Sequence, residues 1–270
     1  MIVQHNMAAA NTNRQLGATG NSLAKSTEKL SSGYKINRAG DNAAGLTISE
    51  KMRGQIRGLD QASTNAQDGI SLIQTAEGAL NETHSMLQRM RELAVQAANG
   101  TNATADVNAI QSEINQLALE VTRVADQTEF NTMTLMSGNF KNKALQVGAN
   151  KSQIISITIE DMDATALGIN ALTVTNHKDA TEATSTIQQA ISSVSAQRSM
   201  LGALQNRLEH TIANADNTSE NLQAAESRVR DVDMAKEMVK YSKDNILQQA
   251  ATSMLAQANQ STQGVLSLLQ

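Results

Sequence analysis

The chain has 270 residues with 22 basic and 26 acidic side chains, a net charge of −4, so its overall charge draws it neither to nucleic acid nor to an anionic membrane. Cysteine is absent, which excludes disulfides, thiol catalysis and cysteine-ligated metal, and with two Tyr, two Phe and no Trp there is little to build an enzyme-like aromatic core. Proline is absent as well, so nothing forces a helix to stop and long unbroken helices are the expectation.

The first segment carries Ile2, Ala9, Leu16, Leu23 and Leu30 at seven-residue spacing among small or polar neighbours. That stripe is too narrow to hold a helix in water without a partner. From Met52 to Ala97 apolar or small residues recur in alternating steps of three and four, through Ile56, Ile73, Leu80, Leu87, Met90 and Ala94. This is the pattern of one long helix; continuous from Ala43 to Asn99 it would span roughly 85 Å, and "NGTN" at 99–102 supplies the stop. With Leu87 and Ala94 at heptad position a and Met90 at d, residues Gln88, Arg89, Glu92, Val95 and Gln96 fall on the opposite face, where a neighbouring subunit can pack.

A second stripe runs Val107, Ile110, Ile114, Leu117, Val121 and Val124, and a third steps by seven from Ile187 through Val194, Leu201, Leu208 and Ala215 to Val229. Between them the period changes. "NKALQVGANKSQIISITIED" places Ile155, Ile157 and Ile159 in alternation after a turn, the mark of a β-hairpin with one buried face. Residues 160–180 read as loop and irregular structure with at most short strands, and "EDMD" within them, lacking the glycine and remaining ligands of a calcium loop, reads as a solvated turn. Near the C-terminus Leu247, Ala251, Met254, Ala258, Val265 and Leu268 form another stripe, and the last six residues hold Val265, Leu266, Leu268 and Leu269 with no charge. Such an ending either enters the chain's own core or awaits a surface that another molecule supplies.

Together these segments predict a mainly α protein: an elongated antiparallel helical bundle or coiled-coil rod with a small β-hairpin region and terminal helices that pair with each other. The division expected is 1–42, an N-terminal helix; 43–130, rod helices; 131–180, hairpin and loop; 181–230, a rod helix; and 231–270, a C-terminal helix. No catalytic, cofactor or metal site is expected. His5, His84, His177 and His210 are scattered without an H-E-x-x-H pair, and G-x-G, G-K and G-x-S-x-G are all missing. The basic residues Lys51, Arg53 and Arg57 lack interleaved aromatics and read as a solvated helix face. The start of the chain shows no charged n-region and apolar h-region, so if the protein is secreted the expectation is that it does not leave by a cleaved signal peptide.

The stretch "EKLSSGYKINRAGDNAAGLTISEKMRGQIRGLDQASTNAQDGISLIQTAEGAL" (28–80), followed in order by "LQRMRELAVQAANGT", "TEFN", "QVGAN", "LGALQNRLEHTI" and "AAESRVRDVDMAKEM", resembles bacterial flagellin. The likeness is to the short flagellins of Gram-positive bacteria, without the large outer domain that many members insert near residues 170–185. It implies a structural subunit, exported unfolded through the flagellar type III apparatus, that polymerises beneath a cap protein into an extracellular helical filament for motility. The implied partners are further copies of the chain, an export chaperone, cap and hook-junction proteins and, in animal hosts, Toll-like receptor 5, with no cofactor, nucleic acid or membrane. The resemblance also implies that 1–42 and 231–270 are polymerisation helices that pair on polymerisation. Polymerisation falls by resemblance to Ile2, Leu16, Leu23, Leu30, Leu247, Met254, Val265, Leu266, Leu268 and Leu269. Arg89, Leu93 and Glu113 match positions that the receptor recognises, and they join Gln88, Glu92, Val95 and Gln96 as a receptor or axial subunit surface. The tail departs from the family in Ser261 and Thr262, where a proline commonly lies nearby, and in Gln270, where many members end in arginine. A hook-filament junction protein of the same superfamily is the nearest alternative, and a coiled-coil signalling rod is one from another class.

Overall fold

The computed structural model describes residues 6–267, and the side chains of residues 6–260. Five helices carry it: α1 (Met7–Ser32), α2 (Ala43–Ala97), α3 (Thr104–Gln127), α4 (His177–Arg230) and α5 (Met234–Ser267). Two compact units form, one from residues 55–220 and one from residues 1–54 with 221–270; α2 and α4 contribute to both.

In residues 55–220 the three stripes read from the sequence are the core. Ile73, Leu80, Leu87 and Met90 of α2, Ile114 and Val121 of α3, and Ile187, Val194, Leu201 and Leu208 of α4 are all buried in one cluster. The starts of α2 and α3 are fixed by polar side chains. Asn42 Oδ1 accepts from Gly45 N at 2.9 Å ahead of α2, and Asp106 Oδ2 accepts from Ala103 N at 3.1 Å at the start of α3. At the other end of α2, His177 Nδ1 lies 2.7 Å from the carbonyl of Ala98.

The expected hairpin is present as β3 (Lys143–Gln146) and β4 (Ile154–Ile157), antiparallel, with Leu145 opposite Ile155. Ile155, Ile157 and Ile159 point inward as the alternation requires. Its turn lies against α2 at Gly58, where an added Cβ would sit 2.8 Å from Cβ of Ala149. Numbered before it in the chain is a smaller hairpin that the sequence reading does not foresee. Here β1 (Glu129–Phe130) pairs with β2 (Met133–Thr134) across Asn131 and Thr132, whose φ angles of 49° and 63° make the left-handed turn that strand twist favours.

The stretch after the hairpin differs from expectation in two ways. Residues 158–176 are irregular but not merely surface loop, because Met162, Leu167, Ile169 and Val174 are buried in the same cluster. The "EDMD" turn is held by Asp163, whose N–H donates to Asp161 at 3.1 Å and whose Oδ1 accepts from Ala166 N at 2.6 Å; this drives Met162 inward. Gln111 ties the segment to α3 by donating to Leu172 O and accepting from Val174 N, each at 2.8 Å. The following helix begins at His177 rather than at 181.

In the unit of the chain ends, α1 and α5 pack antiparallel. Asn6 Nδ2 donates to Ala258 O at 2.9 Å, Ser22 Oγ donates to Asp244 Oδ2 at 2.7 Å, and Val232 N donates to Gly33 O at 3.0 Å. The residue numbers in each pair sum to nearly the same value, so one register runs the length of the seam. The α1 helix stops at Gly33, which adopts a φ of 76° that costs glycine nothing. The pairing of terminal helices expected on polymerisation is thus already formed within a single chain.

Candidate subunit-contact surfaces

Two surfaces gather the residues singled out in the sequence. The first is α5. The side chains that meet α1 follow Tyr241, Asp244, Gln248, Ala251, Leu255 and Ala258, in steps of three and four. At 3.6 residues per turn Val239 and Ile246 lie opposite that seam, while Met238, Leu247 and Met254 lie on its flanks; all five are between 45% and 71% exposed. The helix therefore leaves these larger apolar side chains uncovered by its partner. Its seam instead encloses Asp244, 8% exposed, facing Ser22.

The sequence stripe is corrected on this point. Ala251 and Ala258 belong to the seam, but Leu247 and Met254 do not; they lie on its flanks, exposed. A count of apolar side chains selects them over Asp244 and Gln248, yet the heptad that passes through both alanines also passes through those polar residues. On α1, Leu16, Leu23 and Leu30 are half-buried. Ile2, Leu268 and Leu269 lie outside the described residues, as do the side chains of Val265 and Leu266.

The second surface is the α2–α3 face. Arg89 donates from Nε and Nη2 to Glu113 Oε1 at 3.0 and 2.9 Å, and from Nη1 to Glu92 Oε2 at 3.4 Å. The hydrogen bonds it donates to Glu113 raise the guanidinium pKa further above its ordinary value, so the charge is fixed at any accessible pH. Gln88, Glu92, Val95 and Gln96 are exposed beside this pair. Val95 is 56% exposed, an aliphatic side chain amid polar ones.

Leu93 is not part of that face. It is 2% exposed and packed in the core. The reason is the number of helices that α2 contacts: its buried strip widens beyond positions a and d to take in g, where Leu72 and Leu93 are buried and Ala79 and Met86 half-buried. Leu93 can support the surface but cannot present itself there.

No cluster of His, Cys, Asp or Glu among the described residues could hold a metal ion. No described helix is long and apolar enough to cross a membrane.

Part of this fold is shared with solved flagellar proteins. The crystal structure of Bacillus cereus flagellin is 29% identical, with a TM-score of 0.52 over 56% of this chain and 88% of that one. A putative flagellar hook-associated protein from Vibrio parahaemolyticus superposes with a TM-score of 0.60 over 71% of this chain and 100% of that one, at 12% identity. That second likeness concerns the fold alone. Residues 3–141 match the model of the bacterial flagellin N-terminal helical region, and residues 184–269 that of the bacterial flagellin C-terminal helical region. Flagellin of Halalkalibacterium halodurans is 57% identical, and flagellin of Bacillus subtilis 53%, each over 100% of both chains. The chain belongs to the bacterial flagellin family.

Proposed function

We infer that the chain is the structural subunit of a bacterial flagellar filament, with no enzymatic activity. The observation that carries this beyond family membership is the exposed surface of α5: five large apolar side chains on a helix that its single-chain partner leaves uncovered. Repetition of contacts that do not close on themselves turns such a face into a filament. Residues 1–42 and 231–270 serve polymerisation in this reading, through Leu16, Leu23, Leu30, Leu247 and Met254 together with Ile2, Val265, Leu266, Leu268 and Leu269. Residues 43–130 and 181–230 are the rod helices, and 131–180 the hairpin and loop region. The subunit travels unfolded through the flagellar type III apparatus with an export chaperone and adds beneath the cap, beyond the hook-junction proteins, in an extracellular filament. A chain without cysteine or proline suits that route, since neither premature disulfides nor slow prolyl isomerisation delays refolding at the tip.

Gln88, Arg89, Glu92, Val95, Gln96 and Glu113 form the axial subunit contact in the polymer, and the same surface on a free chain is the ligand for Toll-like receptor 5 in animal hosts. Support for this is the exposure of Val95 and the fixed Arg89–Glu113 pair. Electron microscopy of purified chain incubated with filament fragments tests the main reading. Long helical filaments are expected. A chain that only caps the fragments, without elongating them, would point to a junction protein and overturn the filament assignment.

A further inference from the structure

Methionine is the only sulfur in this chain, which has 12 Met and no Cys. Its exposure is uneven. In residues 55–220, Met90 and Met136 are fully buried and Met162 is 5% exposed, while Met133 and Met200 reach 40%. In the unit of the chain ends, Met7, Met234, Met238 and Met254 are between 48% and 73% exposed. Two of these, Met238 and Met254, stand in the apolar side of α5 with Val239, Ile246 and Leu247. Thioether oxidation follows access, so on the free chain the two methionines of the face offered for polymerisation are open to peroxide, as Met7 is.

We propose that Met238 and Met254 are sulfoxidation sites, and that hydrogen peroxide acting on the free chain removes it from the pool able to polymerise. The inference rests on the filament reading. In the step, a lone pair on the thioether sulfur attacks one peroxide oxygen and the O–O bond breaks. The departing hydroxide is protonated to water, the sulfur is oxidised by two electrons and the peroxide is reduced by two. The product is a polar sulfoxide whose oxygen accepts hydrogen bonds. On the free chain water supplies them. In a contact between copies the sulfoxide meets Val239, Ile246 and Leu247, which provide no donor; Ser242 and Lys243 in the same groove are the nearest donors, and where the contact keeps them from the sulfoxide an acceptor buried without a partner opposes it. Assembly would shield the same two sulfurs, so oxidation and polymerisation compete for one surface.

The test compares the chain with a Met238→Leu/Met254→Leu variant, a volume-conserving change that keeps the face apolar. Each is treated with hydrogen peroxide as free chain, mapped by mass spectrometry and assayed for elongation of untreated filament fragments. Sulfoxide is expected at residues 238 and 254 of the free chain but not at Met90 or Met136, with elongation lowered by about tenfold or more. The leucine variant should elongate equally before and after treatment, and assembled filaments should resist oxidation at the two sites. Loss of elongation by the treated leucine variant would overturn the proposal by placing the damage elsewhere. So would unchanged elongation by a chain shown to be oxidised at both sites. An untreated chain that elongates nothing would instead sink the filament reading, and this inference with it.

Discussion

The two units put apolar side chains to opposite uses. In residues 55–220 the large aliphatics of three helices and a hairpin meet in one cluster, which buries few polar side chains, Ser63, Thr83 and Gln197 among them. Along α1 and α5, among the described side chains, the buried residues are Ser26 and Asp244, while Ile246, Leu247 and Val239 face solvent. Burial within one chain explains the first unit. It does not explain α5, whose composition makes sense only when its outer side is covered by something else. A pattern of exposed apolar residues on an element with a polar internal seam is therefore the physical trace of a polymer left on its subunit.

The sharpest way to break that contrast is to apply disruptive changes to each unit. Ile246→Asp with Leu247→Asp should abolish elongation, because a carboxylate has no partner in a desolvated contact. Its thermal unfolding should scarcely move, within roughly 0.5 kcal/mol, as for other exposed positions. Leu80→Ala does the reverse. It removes a fully buried side chain and should cost about 2–5 kcal/mol in unfolding experiments. If the aspartate variant instead melts several degrees lower yet still elongates, those side chains serve the chain's own core and the contrast is false.

The helices were legible because their stripes repeat in steps of three and four over many turns, and β3–β4 because three isoleucines alternate. What escaped has physical causes. The β1–β2 hairpin has strands of two residues, too short for any period, and its turn uses Asn131 and Thr132 rather than an Asn-Gly pair. Residues 158–176 contribute buried side chains without regular structure, so no spacing marks them. The α5 seam was misread because its heptad contains Asp244 and Gln248, which a search for apolar residues skips. Leu93 was assigned to a surface by resemblance, whereas heptad position g on a helix with several neighbours is buried.

A smaller effect separates two glycines within residues 55–220. Gly78 has open space where a Cβ would go, so Gly78→Ala should stabilise by about 0.5–1 kcal/mol through helix propensity alone. At Gly58 the same Cβ would lie 2.8 Å from Ala149 Cβ and 3.2 Å from its Cα, atoms with no rotamer to yield. Overpacking costs about 1–3 kcal/mol, enough to exceed the propensity gain, so Gly58→Ala should lower stability. Denaturant midpoints of the two variants, with unchanged slopes, would establish the opposite signs; a stabilised Gly58→Ala would show that the hairpin turn does not bear on α2.

The smallest expected effect concerns acid and the start of α5. Asp233 Oδ1 accepts from Lys236 N at 3.1 Å and so caps the helix, with Lys236 Nζ 3.3 Å from Oδ2. That backbone hydrogen bond, more than the nearby ammonium, holds the carboxyl below the ordinary aspartate value of 3.8. A carboxyl whose folded value is depressed stabilises the fold above its unfolded value. That contribution fades as pH falls below 3.8 and is gone once the lower folded value is passed. Asp41 and Glu120 are depressed too, the first chiefly by the N–H of Arg38 and the second by the Arg123 side chain. Global acid unfolding therefore cannot isolate the cap, but amide hydrogen exchange at Lys236 can. In the unaltered chain exchange protection there should fall on acidification below about pH 4, after correction for the intrinsic rate. Asp233→Asn keeps a capping oxygen that does not titrate in this range, so its protection should stay flat over the same interval. A parallel fall in both proteins would show that the first turn of α5 is loosened by other carboxyls, and that the Asp233 cap does not govern it.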